Sequence, residues 1–225
     1  MSAYRQADVS VPARTAELAA PLEPVRPVPW WVFVCTGLIP LLLPSAWLIA
    51  GAIQPGSYDP VRQTISTLSG HAGAHRWIVT GALVVVGLCY IVAAAGLAML
   101  RRAARIGLVV SGGASIGVAA CPQPVVGSTF QHMLFTTVGA ASIAIWPALT
   151  AERGQPASPL TSVPVAAAIS ALFLVLVAGL LVAAREGTAV GMVERFDSSI
   201  EIAWPFLVAM TVRPGFATFG SEMSR

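Results

Sequence analysis

The chain has 225 residues, of which 56% are hydrophobic and only 10% are charged, and its mean hydropathy is +0.77. Soluble domains carry about 25% charged residues, so this composition excludes a soluble globular protein and indicates a membrane protein. The formal net charge of +3 comes from thirteen arginines near predicted helix ends and no lysine, which does not resemble the basic patch of a nucleic-acid-binding domain.

Residues 1–29 are rich in proline, carry mixed charge and show no apolar periodicity, which predicts a disordered tail. A membrane helix needs about 20 apolar residues, and the length from residue 30 onward fits six of them in one domain, 30–213. We therefore predict an all-α, polytopic transmembrane bundle followed by a short tail over 214–225. The predicted spans are 30–53, 77–100, 104–121, 132–150, 161–184 and 197–213.

We call the connection after the first span loop one (residues 58–70). Its sequence predicts a short amphipathic helix at the membrane interface. Asp59 suits the cap of this helix, Pro60 its first position and Gly70 its end. The helix is either part of a binding site or a lid that seals the bundle. Its apolar face would consist of Val61, Ile65 and Leu68. Its polar face would consist of Arg62, Ser66 and Ser69.

Glycine is concentrated in the third predicted span. The spacing of Gly113 and Gly117 allows close helix contact, either inside the bundle or between two copies of the chain. The sequence shows no internal repeat, which disfavours a transporter built from inverted repeats.

The distribution of arginine predicts the orientation of the chain. Cytoplasmic connections of membrane proteins carry an excess of basic residues. We therefore predict a multi-pass protein of the bacterial inner membrane with both termini in the cytoplasm and loop one outside. The nine arginines on the side of the termini are Arg5, Arg14, Arg26, Arg101, Arg102, Arg105, Arg153, Arg213 and Arg225, and the four opposite are Arg62, Arg76, Arg185 and Arg195.

The sequence of loop one also resembles that of a known protein family. It reads Tyr58-Asp59-Pro60-x-Arg62-x-Thr64-Ile65-Ser66-x-Leu68, which resembles the signature of a family of small bacterial integral membrane proteins called domain of unknown function 998. His132 near the fourth span and Glu194-Arg195 before the sixth resemble further recurring positions of that family. The resemblance implies about six helices and a membrane location, and it implies no activity.

All three histidines lie in or beside the connections of the predicted outer side. His71 and His75 are four residues apart and would share a helical face if the second span began early. Together with His132 they are candidate zinc ligands, and Asp59 or Glu194 could complete the set. Such a zinc ion could activate water to hydrolyse a lipidic amide or ester. The alternative is that these histidines are simple hydrogen-bonding residues.

The sixth span begins with acidic residues on one helical face. We expect Glu201 to lie about one turn below the membrane interface, where an acid is usually functional or paired with a base such as Arg62, Arg76 or Arg195. Its functional roles would be proton carrier or general acid. The face consists of Glu194, Asp197, Glu201 and Trp204, at spacings of three, four and three residues.

These elements together predict an outward-facing pocket with apolar walls, which suits a lipid-like ligand. Because no catalytic motif is complete, the favoured function is binding or sensing of such a ligand or of a membrane partner. One alternative is a membrane-embedded enzyme, zinc-dependent or not, that acts on a lipidic substrate with His132 and Glu201 as catalytic residues. Another is a small proton-coupled transporter. The pocket residues are Tyr58, Asp59, Arg62, Ser66, Glu194, Arg195, Asp197 and Trp204.

Overall fold

The computed structural model describes residues 27–56, 58–154 and 156–212, so the two predicted tails lie largely outside the described residues. Within these ranges the chain is helical, and the predicted all-α bundle is confirmed. The long helices coincide with the six predicted spans to within a few residues, except that the last begins seven residues earlier than predicted. The helices are α1 (Trp30–Ala52), α2 (Ile65–Ser69), α3 (Arg76–Gly96), α4 (Arg102–Ala120), α5 (Phe130–Leu149), α6 (Val163–Glu186) and α7 (Val190–Thr211).

Five of these helices, α1, α3, α4, α5 and α6, are long and apolar enough to cross a membrane. Helix α7 has 22 residues, which corresponds to about 33 Å and matches the roughly 30 Å hydrocarbon core of a bilayer. It differs from the other five because it carries four charged side chains within its first twelve residues. Two of them, Asp197 and Glu201, are buried, so these acids face protein rather than lipid.

The long helices form a closed ring in chain order. Each of them packs against the long helices that precede and follow it, and α7 completes the ring by packing against both α6 and α1. The apolar core lies mainly where α1, α3 and α4 meet, and Trp146 of α5 is fully buried beside it. This arrangement surrounds a central space to which every helix has access.

Three connections meet at one end of the bundle. The backbone N–H of His71, the residue directly after loop one, donates to the carbonyl oxygen of Gln123 in the α4–α5 connection at 2.8 Å. The N–H of Met192, in the first turn of α7, donates to the carbonyl oxygen of Val61 at 3.1 Å. Loop one, the α4–α5 connection and the start of α7 are therefore neighbours in space.

Helix α2 begins later than predicted, at Ile65, and its cap is Thr64 rather than Asp59. The Thr64 hydroxyl accepts the N–H of Thr67 at 3.3 Å. Asp59 instead caps a separate turn, since its Oδ1 accepts the N–H of Val61 at 2.9 Å. Two short capped turns therefore replace the single predicted helix, because Thr64 offers a second cap inside the run.

The predicted faces of this helix are partly wrong. Ile65 and Leu68 are buried as expected, whereas Val61 lies before the helix and is 43% exposed. Ser69, which we expected on the polar face, is also buried. Gly70 ends α2 as predicted. Helix α2 thus packs against the bundle on more than one side.

Glycines allow α3 and α4 to cross closely. A Cβ added to Gly87 would lie 2.5 Å from the carbonyl oxygen of Gly112, and a Cβ added to Gly112 would lie equally close to that of Gly87. Of the predicted Gly113 and Gly117 pair, only Gly117 makes a close contact, with the ring of Phe135 in the same chain. Gly113 faces open space. Gly117 therefore serves packing inside the bundle.

We predict that Gly112→Ala destabilises the protein, because its methyl group must push α3 and α4 apart. Overpacking of this kind costs about 1–3 kcal/mol, and each kcal/mol lowers Tm by roughly 2–4 °C in a protein of this size. The measurement is thermal unfolding of the protein purified in a non-ionic detergent. The matched control is Gly113→Ala, for which Tm should stay constant or rise slightly because alanine favours helix. Equal Tm values for the two variants would contradict the close crossing.

Candidate functional site

Arg195, in the second turn of α7, holds loop one by its backbone. Its Nη1 donates to the carbonyl oxygens of Pro60 and Gln63, each at 2.9 Å, and to that of Gly191 at 2.8 Å. Its Nη2 donates to the hydroxyl oxygen of Tyr58. Arg195 thereby provides hydrogen-bond partners for the carbonyl groups of Pro60 and Gln63, which lie outside a helix.

Glu194 holds the same loop from the other side. Its Oε2 accepts the N–H of Ile65 at 2.6 Å, which is one of the donors left free at the start of α2. Loop one and α7 come so close at Gly191 that a Cβ added there would collide with the carbonyl oxygen of Gln63. We call this contact the clamp and define it by Tyr58, Pro60, Gln63 and Ile65 of loop one and by Gly191, Glu194 and Arg195 of α7.

The Tyr58 side chain lies outside the long helices and is half-buried. Burial raises the pKa of its hydroxyl group, and the nearby Arg195 guanidinium partly opposes that shift. The phenol is therefore neutral at pH 7 and accepts a hydrogen bond from Arg195. The guanidinium also lies 5.9 Å from the centre of the Tyr58 ring, within the range of a cation–π contact.

His132 joins three elements at the same end of the bundle. It lies in the first turn of α5, is only 2% exposed, and its Nδ1 is 2.8 Å from the carbonyl oxygen of Cys121. Because a carbonyl group can only accept, Nδ1 carries the proton. In the neutral ring Nε2 then accepts from the hydroxyl of Ser66, at 3.1 Å. Both ring nitrogens are thus used to attach α2 and the end of α4 to α5.

Below the clamp, α2 and the six long helices surround a cavity of about 170 Å³. Its wall is mostly apolar, and each of the seven helices contributes at least one residue. A larger cleft of about 590 Å³ lies at the opposite end, near Arg101 and Val163, and contains none of the predicted site residues. The polar groups of the central cavity are Ser66, Ser69, Tyr90, Ser111, Ser115, Thr136, Glu194, Asp197, Ser198 and Glu201.

Two carboxyl groups of the cavity wall have buried atoms without partners. Asp197 and Glu201 are each 3% exposed, and Oδ1 of Asp197 and Oε1 of Glu201 lack any hydrogen-bond partner within the described structure. The hydroxyl groups of Tyr90 and Thr136, which also line the wall, likewise lack a hydrogen-bond partner within the described structure. Buried polar atoms are almost always hydrogen-bonded, and four of the five buried side-chain polar atoms without a partner in the described structure belong to this wall.

The predicted pocket residues divide into groups. Ser66, Glu194 and Asp197 line the cavity, together with Glu201, which was predicted as a catalytic residue. Tyr58 and Arg195 belong to the clamp, and Asp59 supports the turn that precedes it. The other two lie away from the cavity wall: Arg62 is exposed, and Trp204 packs edge-on against Phe173 with ring centres 6.2 Å apart.

The predicted pairing of Glu201 with an arginine is wrong for the part of the chain that the structure describes. Arg62 is exposed, and Arg195 donates to loop one. Arg76 bonds to His71 at 3.0 Å and lies over the ring of Trp77. Each of the three arginines is therefore placed elsewhere.

The predicted zinc ligands are not brought together. His71 and His75 are exposed, and α3 begins only at Arg76, so they do not share a helical face. An added Cβ at Gly73 would collide with the carbonyl oxygen of Leu68, so this tight turn replaces the early helix start. Across residues 27–56, 58–154 and 156–212 there is no group of three or more His, Cys, Asp or Glu side chains that could hold a metal ion.

Several polar groups of the cavity were not among the predicted site residues. Tyr90, Ser111, Ser115 and Thr136 lie in the middle of apolar helices, where they line the wall together with the acids of α7. Their position in the sequence could have indicated this role, because isolated polar residues inside membrane spans usually face the interior of the bundle. The predicted pocket contains only residues at or near the ends of the spans, whereas the cavity extends further along the helices.

Apolar helices in a closed ring around a central cavity define a polytopic helical membrane protein. Residues 37–211 match the family described as "Protein of unknown function (DUF998)", and the chain belongs to this family, as the resemblance in loop one implied. The match extends from α1 to the end of α7 and so includes both the clamp and the cavity. Comparisons with curated proteins and with solved structures give no match.

We predict that Arg195→Gln releases loop one, because four hydrogen bonds to the loop and to its own helix are removed or weakened. Loop one contains the exposed Arg62, and trypsin cleaves after arginine. Limited trypsin digestion in detergent should therefore cut after Arg62 at least tenfold faster in this variant than in the wild type.

The control for this experiment is Arg185→Gln, which changes an exposed arginine at the end of α6. Its cleavage rate after Arg62 should equal that of the wild type. Cleavage after the exposed Arg153 serves as an internal reference, because it lies in a different connection. Unchanged cleavage after Arg62 in Arg195→Gln would show that the clamp does not restrain loop one.

Proposed function

We propose that this protein binds the polar end of an amphiphilic molecule in the central cavity of its membrane bundle. The observation that carries the proposal is the pair of buried, unpartnered carboxyl oxygens of Asp197 and Glu201 in a wall that is otherwise mostly apolar. Ligand sites commonly combine apolar walls with a few convergent polar groups.

The size of the cavity indicates which part of a ligand it takes. The volume of the cavity is about 170 Å³. Pockets for whole drug-sized molecules measure about 300–1,000 Å³. The cavity is therefore suited to a head group and the first carbons of its chain.

The contacts of His132 fix the position of Ser66 in the cavity wall. Both of its ring nitrogens are engaged, one by the backbone of Cys121 and the other by Ser66. A histidine held by a backbone carbonyl group through one nitrogen can orient a serine hydroxyl through the other. His132 thereby positions Ser66 at the edge of the cavity.

The proposal is tested by filling the cavity. Ala140 lines the wall, whereas Ala141 is exposed on the outside of the same helix. Single-chain probes with ten carbons and an alcohol, amine or sulfate head group are added to the detergent-purified wild type, and Tm is followed. A ligand at ten times its Kd stabilises by about 1.4 kcal/mol, or roughly 3–5 °C here.

We expect at least one of these probes to raise Tm saturably in the wild type and in Ala141→Leu, and to have no saturable effect on Ala140→Leu. The two variants carry the same change at adjacent positions, so a general effect of the probe on the detergent micelle appears equally in both. If all three probes act alike on the two variants, the cavity is not a binding site.

The arginine distribution supports an inner-membrane protein with both termini in the cytoplasm. The ring adds support, because loop one and the α4–α5 connection meet at one end and have few arginines. We predict that a reporter active only outside the cytoplasm is active when fused after residue 124 and inactive when fused after Arg225. The reverse pattern would invert the orientation.

A further inference from the structure

The charge of the cavity is the feature that identifies its ligand. Of the described residues that line it, three are acidic and none is basic. The whole chain contains no lysine, so a basic partner inside the protein would have to be arginine or histidine. Burying carboxylates is costly unless an opposite charge or several hydrogen-bond donors compensate them.

The nearest basic groups are already engaged. Arg195 directs its guanidinium to the backbone of loop one and to Tyr58. His132 donates its Nδ1 proton to the Cys121 carbonyl oxygen and accepts at Nε2 from Ser66. Of the three acids, only Glu194 is seen to receive a hydrogen bond, from the backbone of Ile65. Asp197 and Glu201 each retain a buried oxygen atom with no donor in the described structure.

On the basis of the proposed function, we propose that the ligand's head group is a protonated amine. An ammonium group supplies three donors and one positive charge. Oδ1 of Asp197 and Oε1 of Glu201 offer it two acceptors, and the hydroxyl oxygens of Tyr90 and Thr136 offer two more. The apolar wall, including Leu83, accommodates the adjoining carbons.

The surroundings favour an organic cation over a metal ion. The described residues contain no group of three or more His, Cys, Asp or Glu side chains arranged to hold a metal. The wall is mostly apolar, whereas hard cations such as Ca²⁺ need six to eight oxygen ligands. The same ammonium chemistry is present in a small free amine and in an amine-headed lipid, so the experiment distinguishes the two.

The experiment compares affinities of the wild-type protein in non-ionic detergent at pH 7 for decylamine, decanol, decyl sulfate and ethylamine. At this pH an alkylamine is protonated, since its pKa is near that of lysine, about 10.4. We expect decylamine to bind at least tenfold more tightly than decanol and decyl sulfate. Ethylamine binding as tightly as decylamine would identify a small free amine as the ligand, and weaker binding would identify an amine-headed lipid.

Variants assign the preference to the acids. Glu201→Gln and Asp197→Asn keep the size of the side chain and remove the negative charge. In each, we expect the preference for decylamine over decanol to fall below threefold. The control is Glu186→Gln, which neutralises an exposed acid at the end of α6 and should keep the full preference.

The outcomes separate this inference from the proposed function. If decanol or decyl sulfate binds as tightly as decylamine in the wild type and binding is abolished by Ala140→Leu, the cavity binds amphiphiles and the amine assignment is wrong. If no probe binds in a cavity-dependent manner, the proposed function itself fails. The wild-type ratio alone decides the amine assignment, so a variant that does not fold leaves the test intact.

Discussion

The Arg195 guanidinium supplies the hydrogen bonds that a non-helical stretch of chain lacks at the end of an apolar bundle. Backbone polar groups of a membrane protein must find partners within the protein wherever water is absent. Loop one interrupts the helices and leaves the carbonyl groups of Pro60 and Gln63 without helical partners, and Arg195 satisfies both. The same contact fixes the start of α7 against loop one. Asp197 and Glu201 follow at helical spacing and are thereby held on the buried side of this helix.

The clamp gives a physical meaning to the residues that carry the family resemblance. Tyr58 and Arg195 are 137 positions apart in the chain, yet they are two parts of one contact. In loop one, the N–H of Ile65 binds Glu194 and the hydroxyl of Ser66 binds His132, so three separate features of the resemblance meet at one end of the bundle. The shared pattern therefore describes how loop one is attached. The cavity below it shares Ile65, Ser66 and Glu194 with this pattern, but most of its wall is formed by other residues. Membership of the family therefore does not by itself specify a ligand.

Most of the fold could be predicted from the sequence, because long apolar runs have few alternatives in a membrane. The positions of the six long helices follow from hydrophobicity and length alone. The acidic face of α7 could also be predicted, since its spacing is that of a helix. The prediction failed where a local competition or a distant contact decides the structure. Thr64 replaced Asp59 as the helix cap, and the position of Tyr90 in the cavity wall depends on how α3 packs against its neighbours. Helix–helix packing is not encoded by any short motif, so the central cavity could not be predicted from span ends.

The order of the helices around the ring has a consequence for how the protein is made. Neighbours in the ring are also neighbours in the chain, except for the pair that closes it, α1 and α7. The first five long helices can therefore associate in the order of their synthesis, and the ring stays open on one side until α7 arrives. All three acids of the cavity wall and the arginine that binds loop one belong to this final helix. The membrane thus receives the apolar helices first, and the charged residues enter a scaffold that is already assembled to bury them.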